Sequence, residues 1–118
     1  MLNFLGKYIE NKNILILGFG KEGMSTYRLL SSIGGYKSLS VADILPVDFQ
    51  FDRQVKVITG KNHQQRLNDF DIVFKSPGVV LEKDINELKC DITSQTEMFM
   101  RVYRKQIIGI TGTKGKST

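Results

Sequence analysis

One cysteine, Cys90, and one histidine, His63, are all that this chain of 118 residues has of either type. A single thiol excludes an internal disulfide, and neither residue has the companions from which a zinc site is built, so metal centres made of them are not expected. Long apolar runs are missing too. None approaches the ~20 residues of a bilayer-crossing helix, and Met1 to Glu10 lacks the apolar core of a secretory signal. No basic stripe is interleaved with aromatics, which argues against nucleic acid as a partner. The chain also has no internal repeat and no low-complexity tract. Together these absences lead to the expectation of a soluble cytoplasmic protein from a reducing compartment, with neither a membrane nor a nucleic-acid partner.

What is present suits one compact domain with a short extension. A chain of this length buries about two-thirds of its unfolded surface, enough for a core. Hydrophobic residues at 41% and charged residues at 25% are ordinary globular values, so disorder is not expected. The net charge of +5 is spread along the chain, with clusters only at Arg101 to Lys105 and at Lys114 and Lys116, which fits small anionic ligands.

Asn13 to Leu17 is a short, continuous apolar run of the kind buried on both faces of a parallel sheet, and it is expected to be the central strand. Gly18-Phe19-Gly20-Lys21-Glu22-Gly23 follows at once. Met24, Tyr27, Leu30 and Ile33 then recur near helical spacing over Glu22 to Ile33, and Gly34-Gly35 supplies a stop. Further strands are expected at Ser38 to Asp43, Val55 to Thr59, Phe70 to Lys75 and Asp91-Ile92. Lys61 to Leu67 and Glu82 to Leu88 are expected to form short helices. Ser94-x-x-Glu97 ahead of Met98, Phe99, Val102 and Tyr103 is a capping box opening an amphipathic helix, which should hand over to a last strand at Ile107 to Ile110. The repeated β-α-β order points to an α/β fold with a parallel sheet covered by helices on both faces.

Two phosphate-type loops carry the chemistry. Gly18-x-Gly20-x-x-Gly23, with Asp43 twenty residues on at the end of the second strand, is a dinucleotide-fold fingerprint in strand-turn-helix context, so the fold is expected to be Rossmann-like. Glycines there let the backbone approach a diphosphate, the helix N-terminus stabilises its charge, and the aspartate can accept hydrogen bonds from ribose or a base. A tight turn used only for packing would show the same spacing. Glu22 is an awkward neighbour for a diphosphate, although Lys21 could offset it.

The second loop, Gly112-Thr113-Lys114-Gly115-Lys116-Ser117-Thr118, follows the apolar run at Ile107 to Ile110. The general G-x-x-x-x-G-K-[ST] pattern would need glycine where Ile110 stands, but the tighter T-G-T-x-G-K-[ST] arrangement is complete. In such a loop backbone N–H groups surround phosphate oxygens, the lysine reaches the outer phosphates and the hydroxyl holds Mg²⁺. ATP and Mg²⁺ are therefore the expected cofactors.

Taken in order, Ile14 to Ser25, Val41-Ala42-Asp43, Asp71 to Val79 and Gly109 to Thr118 resemble the N-terminal domain of a Mur ligase. Within that family they are most similar to the branch that joins D-glutamate to UDP-N-acetylmuramoyl-L-alanine. The resemblance implies an ATP-dependent ligase of peptidoglycan precursor synthesis that forms an amide through an acyl phosphate. It implies a UDP-precursor-binding domain over 1–105 and, over 106–118, the first strand and phosphate loop of a truncated central ATP-binding domain. The chain by itself is then expected to be inactive, with the remaining ligase domains missing. By the same resemblance Gly18, Gly20, Lys21, Glu22 and Gly23 lie along the UDP diphosphate. Asp43, Ile44 and Leu45 lie near uracil and ribose, and Ser76, Pro77 and Gly78 line the same crevice. Lys116 is the expected catalytic residue and Ser117 the Mg²⁺ ligand. Relatives usually carry a small or hydroxylated residue in place of Glu22, often a polar one near Ile44, and asparagine in place of Lys114. The alternative is a NAD(P)-binding Rossmann domain of an oxidoreductase or regulatory sensor. It accounts equally well for the first loop but leaves the second loop and the Ser76-Pro77-Gly78 turn unexplained.

Overall fold

Apolar β-branched and leucine side chains in short runs make the strands of a five-stranded sheet, all parallel. The computed structural model describes residues 2–111, with side chains for 4–101, 103 and 104. The elements are α1 (Leu2–Ile9), β1 (Asn13–Leu17), α2 (Lys21–Ile33), β2 (Ser38–Asp43), β3 (Lys56–Thr59), β4 (Ile72–Lys75), β5 (Asp91–Thr93) and α3 (Gln95–Thr111), with 3₁₀ turns at Leu67–Asp69 and Ile85–Glu87. The strand order is β3-β2-β1-β4-β5, which places β1 at the centre as expected. β1 runs in register with both neighbours, Ile16 opposite Val41 of β2 and Phe74 of β4. After β1 the chain moves outward through β2 and β3, then returns across the sheet to β4 beside β1. That reversal opens a crevice between the carboxyl ends of β1 and β4, where α/β sheets of this kind take their ligands.

The two faces are covered unequally. Leu5 and Ile9 of α1, Tyr27 and Leu30 of α2, and Met98 of α3 join Ile14, Ile16, Val41 and Phe74 in one core cluster. The other cluster, around Leu15, Leu17, Ala42 and Val73, is closed by Leu67, Phe70, Val79, Leu81 and Leu88, which come from 3₁₀ turns and loops. The α-helical cover of the described residues thus falls on one face where helices were expected on both. The reason lies in the connections. Lys61 to Gln65 is a polar run with no apolar stripe, so it makes turns, and only Leu67 of the following 3₁₀ segment is buried. In the 82–88 segment the Asp84 carboxylate accepts the Asn86 N–H at 3.0 Å, a local bond that competes with helix, and only Ile85–Glu87 winds up.

Local signals set α2 and α3. Gly34, at φ 71°, ends α2 and donates its N–H to Leu30 O. The capping box forms: Glu97 N–H donates to Ser94 Oγ at 3.0 Å. α3 then continues through Thr111, across residues 107–111 where a strand was expected. A helix satisfies its backbone groups within itself, whereas a strand needs a neighbour, and the sheet order includes no strand from that segment. The phosphate loop expected over 112–118 lies outside the described residues. No described helix is long and apolar enough to cross a membrane.

Two tyrosines tie these layers together. Tyr8 OH of α1 donates to Asp91 at the start of β5, with the Arg101 guanidinium of α3 5.8 Å from the ring centre. Tyr27 OH donates to Asp52, while its ring joins Phe19, Phe49 and Phe51 in a cluster that holds the 44–55 loop against α2. Burial first, and then the bonded carboxylate, pushes both phenol groups above the ordinary tyrosine value. Above pH ~10 the unfolded chain releases phenolic protons that the folded protein keeps, so stability present below that pH is lost as pH rises. Melting midpoints measured from pH 8 to 11 are expected to fall steeply above about 10. A Tyr8→Phe chain, starting lower, should fall less steeply, and parallel curves would refute the assignment.

Candidate functional site

The glycine loop is shaped by contacts that leave no room for side chains at two of its positions. Gly18 lies at φ 90°, and a Cβ there would sit 2.7 Å from Val79 Cγ2 and 3.1 Å from the Ser76 side chain. At Gly23 a Cβ would meet Gly18 O at 2.2 Å, so the third glycine is what lets α2 close onto β1. Gly20 differs, with nothing among the described residues within 4 Å of the position a Cβ would take. Met24 N–H makes the first helical bond, to Gly20 O at 2.9 Å, and no side chain caps the end. The N–H groups of Lys21, Glu22 and Gly23 therefore carry the positive end of α2, with open space in front of Gly20. Among the described residues Lys21 and Glu22 make no ion pair; the pairs there are Arg53–Asp52, Arg66–Asp69 and Arg101–Glu97.

Asp43 braces this loop. Its Oδ2 accepts the Phe19 N–H at 2.7 Å, and its Oδ1 accepts the Leu45 N–H at 3.0 Å. A carboxylate at the end of β2 thereby fixes both the glycine turn and the start of the following loop, before any ligand is considered. From the other side, Ser76 N–H donates to Leu17 O at 3.0 Å and its hydroxyl to Gly18 O at 3.1 Å. Lys75 Nζ donates to Ser76 O at 3.1 Å and Val79 O at 2.7 Å, which holds the Ser76-Pro77-Gly78 turn in shape.

Between these walls is a cleft of about 260 Å³, lined by Gly18, Asp43, Ile44, His63, Gln64, Gly78, Val79, Val80 and Glu82. Its volume falls just below the usual ~300–1,000 Å³ of a small-molecule pocket. Ile44, Leu45 and Val80 are 57%, 67% and 82% exposed, an apolar rim on both sides of the mouth.

Of the expected UDP-site residues, Gly18, Asp43, Ile44 and Gly78 line the cleft. Gly20, Lys21, Glu22 and Gly23 form the start of α2 beside it, Ser76 is bonded to Gly18, and Leu45 and Pro77 are exposed next to the lining residues. The second expected group, Gly112, Thr113, Lys114, Gly115, Lys116, Ser117 and Thr118, lies outside the described residues. His63, Gln64, Val79, Val80 and Glu82 were not expected. The available signal was Gly60, directly after β3: every parallel strand delivers its carboxyl end to the same side of the sheet, so the residues after β3 arrive at the crevice as well. A larger cavity of about 620 Å³ lies by the amino ends of the strands, among Asn13, Ser38 and Lys56, and takes in none of the expected site residues.

No family model matches the chain, and no solved structure does. Curated relatives do match. The UDP-N-acetylmuramoylalanine–D-glutamate ligase of Lacticaseibacillus casei is 34% identical over 120 residues, covering 92% of this chain and 26% of that enzyme. The enzyme of the same name from Staphylococcus saprophyticus is 31% identical over 128 residues, covering 100% of this chain and 28% of the enzyme. That of Ligilactobacillus salivarius is 27% identical over 125 residues, covering 99% and 27%. The chain thus spans about a quarter of the length of the relatives it matches. An ordered run from glycine loop to Ser76-Pro77-Gly78 turn on a parallel α/β sheet is thus similar, along nearly the whole chain, to a stretch of about a quarter of the Mur ligases named for D-glutamate.

Proposed function

We propose that this segment holds the UDP half of UDP-N-acetylmuramoyl-L-alanine, and that the full-length enzyme joins the alanyl carboxylate to the amine of D-glutamate in peptidoglycan precursor synthesis. The observation that carries the reading is the uncapped N-terminus of α2, set at the crevice between β1 and β4 with open space before Gly20. Such an end attracts a diphosphate through its N–H groups and its dipole. In this reading Gly18, Gly20, Lys21, Glu22 and Gly23 serve the diphosphate through backbone. Asp43, Ile44 and Leu45 serve the nucleoside, and Ser76, Pro77 and Gly78 support the crevice floor. Because the bonding there is to backbone N–H, side-chain identity at Glu22 matters little as long as the carboxylate turns outward.

A carboxylate is a poor electrophile, and ATP with Mg²⁺ would supply its activation as an acyl phosphate. The residues assigned to that step are Gly112 to Thr118, with Lys116 on the outer phosphates and Ser117 on the metal. They belong to the central domain that would begin near residue 106, after a substrate domain over 1–105.

Calorimetric titration of the chain with UDP-N-acetylmuramoyl-L-alanine, UDP and NADH tests the reading. The two UDP ligands are expected to bind and NADH to give no heat. Binding of NADH alone would replace it with a nicotinamide-binding function.

A further inference from the structure

His63 is a cleft residue that the glycine fingerprint does not account for. It is 7% exposed, on a turn that begins at Gly60. Gly60, at φ 100°, donates its N–H to Asp43 O at 3.2 Å, which fastens the turn to the end of β2. Gly60 O in turn accepts from His63 twice, from the backbone N–H at 3.1 Å and from ring Nδ1 at 2.8 Å. A carbonyl can only accept, so Nδ1 carries the proton, and in the neutral ring Nε2 is left as an acceptor. No other hydrogen bond among the described residues reaches the ring.

The neighbouring residue fixes the opposite wall. Gln64, 5% exposed, donates Nε2 to Val80 O at 3.0 Å and accepts the Glu82 N–H on Oε1 at 3.0 Å. The imidazole is therefore held by a bonded turn on one side, while the wall facing it is held by a bonded amide. A nearly buried acceptor, locked in one tautomer and lining the cleft, is an arrangement for reading a donor.

We propose that His63 Nε2 contacts the ligand, accepting a hydrogen bond from a donor on the nucleoside, either the pyrimidine N3–H or a ribose hydroxyl. This rests on the reading that the cleft takes the nucleoside of a UDP ligand. Uracil presents a donor at N3 where cytosine presents an acceptor, so a contact to the base would also select between them.

The test separates the ring's two nitrogens. His63→Asn keeps an amide donor at the δ position for Gly60 O and removes the ε acceptor, whereas His63→Gln restores an acceptor at the ε position and gives up the tie to Gly60. Calorimetry of the whole chain with UDP, CDP, 2′-deoxy-UDP and inorganic pyrophosphate is then compared across wild type and both variants, with melting midpoints recorded. His63→Asn is expected to lose about tenfold in UDP affinity, with pyrophosphate unchanged and the fold retained, and His63→Gln to recover part of the loss. A preference for UDP over CDP that vanishes in His63→Asn would place the contact on the base. Equal losses for UDP and CDP, with 2′-deoxy-UDP already weak in the wild type, would place it on the ribose. Undiminished UDP binding by His63→Asn overturns the proposal and leaves the site reading standing. Absence of UDP binding by the wild type overturns both.

Discussion

A Gly20→Asp chain is expected to melt at or above the temperature of the wild type and to lose at least ~100-fold in UDP affinity, equivalent to about 2.7 kcal/mol. Three features of position 20 lead there. It is the N-cap of α2, where aspartate is among the favoured residues because its carboxylate accepts the N–H groups of the first turn. A Cβ at that position meets nothing among the described residues within 4 Å, so the side chain enters without displacing the fold. Once there, the carboxylate takes the same N–H groups a diphosphate would need and opposes it with like charge, a juxtaposition that costs several kcal/mol in a binding site. Gly20→Ala is the steric control and should bind UDP nearly as the wild type does. If Gly20→Asp binds UDP undiminished, the diphosphate does not rest on α2 and the site must be sought elsewhere.

How far the chain could be read from its sequence depended on how local each signal was. β1, β2, the end of α2 at Gly34 and the Ser94–Glu97 cap were all legible, because runs such as Ile14 to Leu17 and pairs such as Ser94 and Glu97 carry their information within a few residues. α1 was passed over. Its eight residues contain Gly6, a poor helix former, and their burial at Leu5 and Ile9 follows from packing on the sheet. The helices expected after Gly60 and Glu82 gave way to turns, where side chains of His63 and Asp84 bond to nearby backbone in competition with helix. The same split runs through the site. The glycine loop and Asp43 are contiguous or at a known spacing, so the fingerprint found them. Their internal bonding was hidden, since Asp43 reaches Phe19 across 24 residues. His63 and Gln64 meet the loop after β4 only through the strand order, which no short window of sequence contains.

The second large effect is on stability and falls on the third glycine. Gly23→Ala would place a methyl 2.2 Å from Gly18 O and 3.2 Å from Phe19 Cδ1. The first contact is with backbone that cannot swing aside. Gly18 N–H is bonded to Ala42 O at 2.7 Å and Gly18 O receives the Ser76 hydroxyl, while Phe19 N–H is held by Asp43. Relief therefore requires α2 to back away from β1, which opens the cluster that Tyr27 and Leu30 share with Ile14 and Ile16. Overpacking of this kind costs about 1–3 kcal/mol, and a rigid backbone partner puts this case at the upper end, a fall in melting midpoint on the order of 10 °C for a domain of this size. Gly20→Ala, three residues earlier in the same loop, should leave the midpoint nearly unchanged, so thermal denaturation of the two variants side by side gives the measurement. Equal midpoints would mean that α2 does not close on β1 as described. A fall confined to Gly23→Ala would also explain why binding tests belong at position 20, where a substitution reports on the ligand and not on the fold.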